Sequence, residues 1–332
     1  MAIHWLWIAI PAALTLALFA GYVCQRIGAA RDAVRCPPSG EMIDVGGRRL
    51  HIIRKGSGGP TVVIENGASG ASFIWWGHQD QLAESTTVCT YDRAGLGWSD
   101  RVPLPRTMEE RAADLHAVLV HANVPPPYVL VGYSYGGFLI RLFARDHRDE
   151  VAGMVFVDAG HEAVYSDPAV RSYTKKMSTI FRVLGGAAHI GLLRLLRMQP
   201  MKPPDAMLTP AQRHVLANSS ATAHPFFVGA DEFSSVEHSG AAMAGTNAPG
   251  SLGDLPVAVI THGLPFPGSY GVLEKYWRTG QEQLAALSTH STLIVASKSY
   301  HDIPLTEPEL VLETIRKVVA AVRCNERLAI SA

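Results

Sequence analysis

The hydrophobic pattern along the chain falls into stretches of different kinds. From Ile3 to Val23 the run IHWLWIAIPAALTLALFAGYV holds no Asp, Glu, Lys or Arg. At about 1.5 Å per residue it would span roughly 31 Å as a helix, close to the thickness of a bilayer core. Trp5, Trp7 and Tyr22 lie near its ends, where amphipathic rings favour the interface. Beyond CPPSG at 36–40 the pattern shortens. Met42 to Val45, Leu50 to Arg54, Thr61 to Glu65 and Thr86 to Tyr91 predict strands, the first three set apart by Gly46-Gly47 and the Gly- and Ser-rich stretch 56–60. A helical period covers Met108 to His121, and the apolar run Tyr128 to Gly132 predicts a further strand.

The alternation continues through Ser134 to Arg145, a predicted helix with Phe138, Leu139, Leu142 and Phe143 on one stripe. Val151 to Val157, Pro256 to Thr261 and Thr292 to Val295 predict buried strands. Thr306-Glu307-Pro308-Glu309 fits a capping box, with Thr306 as N-cap, ahead of Val311, Ile315, Val318, Val319 and Val322 at helical spacing. Strands alternating with helices predict an α/β fold, a mostly parallel sheet with helices on both faces. Between Gly160 and Asp254 the strand rhythm stops, and the stretch reads as helices and loops inserted between two core strands.

Composition narrows the function classes. Lys plus Arg equal Asp plus Glu at 29 each, so the chain lacks the basic footprint of a nucleic-acid binder. Cys24, Cys36, Cys89 and Cys324 are scattered; their spacing suggests neither a zinc site nor a disulfide framework, and no metal or cofactor is implied. A cleaved signal peptide is the rival reading of the first segment, but it would want a basic n-region and a shorter apolar stretch. The segment is therefore expected to be an uncleaved single-pass anchor. Arg26, Arg31 and Arg35 after it place the rest of the chain on the cytoplasmic side by the positive-inside tendency. Within the insertion, 171–202 carries Arg171, Lys175, Lys176, Arg182, Arg194, Arg197 and Lys202 without one Asp or Glu, and includes GLLRLLRM. Its basic groups could rest on anionic lipid while Leu192, Leu193, Leu195 and Leu196 face the bilayer or a pocket; a solvated basic helix face is the plainer alternative.

The candidate chemistry centres on Gly132-Tyr133-Ser134-Tyr135-Gly136. A Gly-x-Ser-x-Gly turn between a strand and a helix is the nucleophile elbow: the glycines permit close backbone approach, and the following helix turns its N-terminal N–H groups to the reacting centre. A serine nucleophile needs a base. Of 14 histidines, His301 stands in the loop Ser297 to Pro304 after the last strand, at the carboxyl edge of the sheet where catalytic groups collect.

With these residues in hand, the chain resembles the α/β-hydrolase superfamily, and within it bacterial membrane-anchored serine hydrolases with a cap insertion. The marks are DVGGRRLHI (44–52), TVVIENG (61–67), YDRAGLGWSD (91–100), GYSYGG (132–137), MVFVDAGHE (154–162) and SYHDIPLTEPELV (299–311). The resemblance covers about 40–160 and 255–323; with the apolar run and CPPSG it divides the chain into an expected anchor over 1–25, a linker over 26–40, a hydrolase core over 41–160 and 255–325, a helical cap over 161–254 and a tail over 326–332. It implies oxyanion-hole N–H groups from Ala68 and Tyr135. It also implies a triad acid. The loop 262–268 after PVAVIT, the commonest place for it, has no carboxylate; Asp158 at the end of the preceding strand takes the role, with Glu162 as the alternative. Asp92 and Arg93 are expected to hold loops. Phe73, Trp75, Trp76 and Tyr133 are candidates for lining the pocket or packing the core. The expected activity is cleavage of a carboxylic ester or related acyl bond of a small lipophilic substrate through an acyl-enzyme. The same groups could also serve peptide-imino, C–C or cofactor-free peroxide chemistry, or persist in a non-catalytic binding protein.

Overall fold

The computed structural model describes residues 2–196, 198, 209–219, 222–268, 271–326 and 328. Its centre is an eight-stranded sheet in the order β1-β2-β4-β3-β5-β6-β7-β8. The strands are β1 (Glu41–Asp44), β2 (Arg49–Lys55), β3 (Thr61–Glu65), β4 (Val88–Tyr91), β5 (Tyr128–Tyr133), β6 (Val151–Val157), β7 (Val257–His262) and β8 (Ser291–Ala296). β2 runs antiparallel to β1 and β4, and every later pairing is parallel. The unbroken apolar runs of β3, β6 and β7 are what a strand covered on both faces requires.

The helices are α1 (Ala2–Arg35), α2 (Trp76–Leu82), α3 (Met108–His121), α4 (Gly136–Asp146), α5 (Pro168–His189), α6 (Leu192–Leu195), α7 (Pro210–Ser219), α8 (His224–Ser235), α9 (Ser239–Ala242), α10 (Gly271–Ala285), α11 (Ile303–Thr306) and α12 (Pro308–Cys324). Leu115, Leu119, Ile140, Phe143 and Leu284 from α3, α4 and α10 pack one face of the sheet. Trp75, Leu82, Val311, Ile315 and Val318 pack the other. Between β6 and β7 the described residues are helix, turn and loop, with α5 and α8 joined by Ser178 Oγ donating to Ala230 O at 2.8 Å and by Phe181 against Phe226 and Phe233.

Three local expectations change. The first helix does not stop near residue 25 but runs through the expected linker to Arg35, because nothing breaks it before Pro37 and Pro38. Residues 7–20 of this helix are exposed and apolar, and it is long and apolar enough to cross a membrane. The capping box at Thr306 does not form. Thr306 closes α11 instead, its hydroxyl donating to Ser299 Oγ (2.7 Å) and Asp302 O (3.0 Å). Glu307 turns back to accept from Lys298 N (2.8 Å) and Ser299 Oγ (2.7 Å), so the segment ties down the 297–301 loop. Finally, α4 begins at Gly136 rather than Ser134, because Ser134 has φ +51 and lies outside helical space.

Candidate active site

Ser134 follows β5 in a left-handed conformation that costs a non-glycine residue about 1–3 kcal/mol. The surrounding backbone holds it there. Ser134 N donates to Val157 O at 3.1 Å, while Ser134 O accepts from Gly137 N (3.1 Å) and Gly160 N (2.8 Å). The flanking glycines are required by space. A Cβ on Gly132 would lie 2.7 Å from Ile140 Cδ1, and one on Gly136 would lie 2.5 Å from Glu65 O at the end of β3. That close approach presses the 66–70 turn against the elbow.

His301 comes from the loop after β8. Its Nε2 is 2.8 Å from Ser134 Oγ, and its Nδ1 is 2.7 Å from Asp158 Oδ2. Asp158, at the end of β6 with φ +43, is fully buried, whereas a third of the His301 side chain is exposed. The structure thus brings the three sequence-predicted groups into one line, with the buried acid behind and the Ser134–His301 pair reachable by a ligand. Such a line can take a proton from the hydroxyl at Nε2 while the carboxylate holds the proton at Nδ1. Glu162 is not part of it: its two oxygens accept from Arg141 at 2.7 and 3.0 Å.

Asp158 has more partners than the sequence suggests. Its Oδ1 accepts from Trp277 Nε1 at 2.8 Å, and both oxygens lie within 2.9 Å of His262 Nδ1. Burial alone would push the carboxyl up, but the hydrogen bonds from His262 and His301 bring it below the ordinary carboxylate range. His262 Nε2 in turn faces Glu274 Oε2 at 3.3 Å. His262, Trp277 and Glu274 escape sequence reading. The loop 262–268 draws attention for lacking a carboxylate, and the strand-end position of His262 was the available signal.

Ala68 and Tyr135 flank the serine on the turn and the elbow. Among the described residues neither N–H donates a backbone hydrogen bond to another main-chain group. The turn is braced by Arg93, which donates to Asn66 O (2.9 Å) and Gly67 O (2.7 Å) and is ion-paired with Glu65 and with Glu232 of α8. Glu232 also accepts from Ser69 N at 2.6 Å. Asp92 holds the neighbouring loop, accepting from Ser72 N (2.7 Å) and pairing with His51 Nδ1 (2.8 Å). Of the aromatic candidates, Trp75 and Trp76 are core residues. Trp75 donates to Asn66 Oδ1, and Trp76 stacks on Trp98. Tyr133 lies beside the His301 ring with centroids 5.3 Å apart, and Phe73 is partly buried against Trp76.

Residues 60–183 match the family described as alpha/beta hydrolase fold. Together with the sheet order and the elbow, this gives the chain the α/β-hydrolase fold. Among curated proteins, an "AB hydrolase superfamily protein" from Gibberella zeae is 27% identical over 289 residues, covering 80% of this chain and 87% of that protein. A probable transporter from Hormonema carpetanum is 36% identical over 138 residues, but these cover 39% of this chain and only 20% of the relative. Among solved structures, a thermophilic esterase from Thermogutta terrifontis superposes with a TM-score of 0.62 at 20% identity, covering 85% of this chain and 97% of the esterase, which is a likeness of fold.

Proposed function

We propose that the protein is a serine hydrolase that cleaves a carboxylic ester or related acyl bond. The observation that carries this reading is the continuous Ser134–His301–Asp158 hydrogen-bonded line, with its reactive end accessible and its acid buried. Ser134 Oγ attacks the acyl carbon as His301 Nε2 accepts the hydroxyl proton. The N–H groups of Ala68 and Tyr135 face the charge that develops on the carbonyl oxygen. His301 then returns its proton to the leaving group, and the carbonyl re-forms as the acyl-enzyme. Water, deprotonated by the same imidazole, releases the acid and regenerates Ser134. Asp158 keeps His301 in the tautomer with its proton on Nδ1. No metal or cofactor is needed for these steps.

The test is an active-site-directed fluorophosphonate. Wild-type protein is expected to take the label on Ser134, and Ser134→Ala to take none. An unlabelled wild type, or a Ser134→Ala variant labelled equally, would sink the assignment.

We place the protein at a membrane, with α1 as a single-pass anchor and lipophilic molecules as substrates. Support comes from where α1 meets the α5–α6 corner. A Cβ on Gly21 would lie 2.3 Å from Ile190 O, the Tyr22 ring lies tilted against His189 with centroids 5.1 Å apart, and Arg194 pairs with Asp32 at 2.6 Å. These contacts begin where the apolar run of α1 ends, so the corner sits at the depth of the bilayer surface. Leu192, Leu195 and Leu196 are exposed there, and Arg171, Lys175, Lys176 and Arg182 are exposed along α5. Leu193 differs from the expectation: it is buried against Ala188 and Phe226 within the helical insertion. Arg197 and Lys202 lie outside the described residues. The arginines that follow the apolar run favour the cytoplasmic side for the domain. A protein lacking residues 1–20 is expected to bind vesicles containing anionic lipid, with binding weakened several-fold by high salt and by Leu195→Ser with Leu196→Ser. No binding by this shortened protein would leave α1 as the sole membrane contact, and binding indifferent to both changes would overturn the role of the α5–α6 corner.

A further inference from the structure

The strand β7 ends in a histidine whose two ring nitrogens both face carboxylates. His262 Nδ1 lies 2.8 Å from Asp158 Oδ2, and Nε2 lies 3.3 Å from Glu274 Oε2. An ionised carboxylate only accepts hydrogen bonds, and a neutral imidazole has a single N–H. A neutral His262 would therefore turn a lone pair toward one of the two anions. Two ring protons satisfy both, which makes His262 a buried imidazolium bridging Asp158 and Glu274. Among the described residues no other carboxylate is hydrogen-bonded to the ring. Phe266 and Trp277 pack on it, Trp277 donates its own N–H to Asp158, and Glu274 is oriented by Phe266 N at 2.9 Å.

The consequence reaches the reacting pair. The carboxylate that would stabilise a protonated His301 already carries a cation on its other side. Asp158 is shared by two imidazoles, and the charge of His262 lies across the carboxylate from His301. Among the described residues, the other ionisable groups beside this cluster are Tyr133, which lies by His301 and is kept neutral by burial, and Asp302, next to His301 at the surface.

We propose that His262 is a positioning residue: as an imidazolium held between Asp158 and Glu274, it fixes the Asp158 carboxylate against His301 and sets a positive charge on the far side of that carboxylate. The proposal rests on the serine-hydrolase reading. Burial works against charge on His262, yet the bonds to Asp158 and then Glu274 outweigh it and raise its pKa above the ordinary histidine value. By linkage, the stability this ring contributes is fully present below an unfolded-state value of about 6.5 and is lost as pH rises through the higher folded value.

Two measurements on the full chain in detergent test the proposal. The first is the rate of fluorophosphonate labelling against pH. His262→Gln keeps a donor toward Asp158 but no charge, and is expected to move the acid limb of the profile up by about one pH unit. A lower plateau with an unmoved limb overturns the proposal, because loss of packing slows labelling equally at every pH. If Ser134→Ala labels as fast as wild type, it is the hydrolase reading that fails, and the proposal falls with it. The second readout does not depend on activity or on His262→Gln folding. In Glu274→Gln the imidazolium loses one of its two anions, so the fall in unfolding stability from pH 6.5 to pH 9 should begin at lower pH than in wild type. Identical pH dependence in the two proteins would overturn the bridge.

Discussion

Asp158→Asn is expected to lower kcat about 10⁴-fold. The carboxylate accepts the His301 Nδ1 proton at 2.7 Å, and an amide presents an N–H to that nitrogen in its place. The imidazole would then carry its proton on Nε2, 2.8 Å from Ser134 Oγ, where it cannot act as a base. The fold should survive, since Trp277 and the His262 backbone N–H can still donate to the amide oxygen. Glu162→Gln is the informative partner. Glu162 is occupied by Arg141, so its loss should cost about 1–3 kcal/mol of stability and change kcat by less than about threefold. Steady-state kinetics with an ester series and denaturant unfolding on both variants check the pair. A large loss of kcat in Glu162→Gln with Asp158→Asn unaffected would reverse the assignment of the acid.

Arg93→Ala should be the most damaging single change to stability outside the hydrophobic core, costing about 3–5 kcal/mol. The guanidinium is buried between Glu65 and Glu232, and both carboxylates are fully buried. Burial pushes the Glu65 carboxyl up, and Arg93 is the main influence opposing it. Without Arg93, Glu65 loses its cation, Glu232 keeps only the Arg111 cation at 3.7 Å, and the carbonyls of Asn66 and Gly67 lose their donors. A loss of this size is a large part of the roughly 5–15 kcal/mol that holds a typical domain folded. The variant should also lose activity beyond its loss of folded protein, because the same side chain fixes the turn that carries Ala68 and ties it to α8. Unfolding midpoints, with labelling rates normalised to the folded fraction, separate the two effects. A stability change below about 1 kcal/mol would place the pair among ion pairs of little net worth.

Much of the site was legible because its signals are local. Gly132-x-Ser134-x-Gly136 carries its own geometry: a strand before, a helix after, and glycines where a Cβ would strike Ile140 or the end of β3. His301 was legible from its place after the last strand, whereas Asp158 came from the family resemblance, with Glu162 left open beside it. What could not be read is what depends on partners far apart in the chain. Arg93 meets Glu232, 139 residues away, and Trp277 meets Asp158 across 119. Thr306 had the letters of a capping box, but the loop below it offered Ser299 and Asp302 as partners, and tertiary contacts outweighed the local motif. Trp75 and Trp76 could have lined a pocket or packed the core, and only packing decides between these.

By itself, then, the sequence determined the alternation of strands and helices, the apolar first helix, and the turn that carries Ser134. These follow from periodicity and from turn chemistry spanning a few residues, which neighbours along the chain enforce. Only the tertiary structure decided that Glu162 belongs to Arg141, that the helical insertion is tied to the 66–70 turn through Glu232 and Arg93, and that His262 shares the carboxylate of Asp158. Those outcomes depend on which strand ends and helix faces become neighbours in the folded sheet. Burial and pairing of charge are settled by that neighbourhood, which no local pattern encodes.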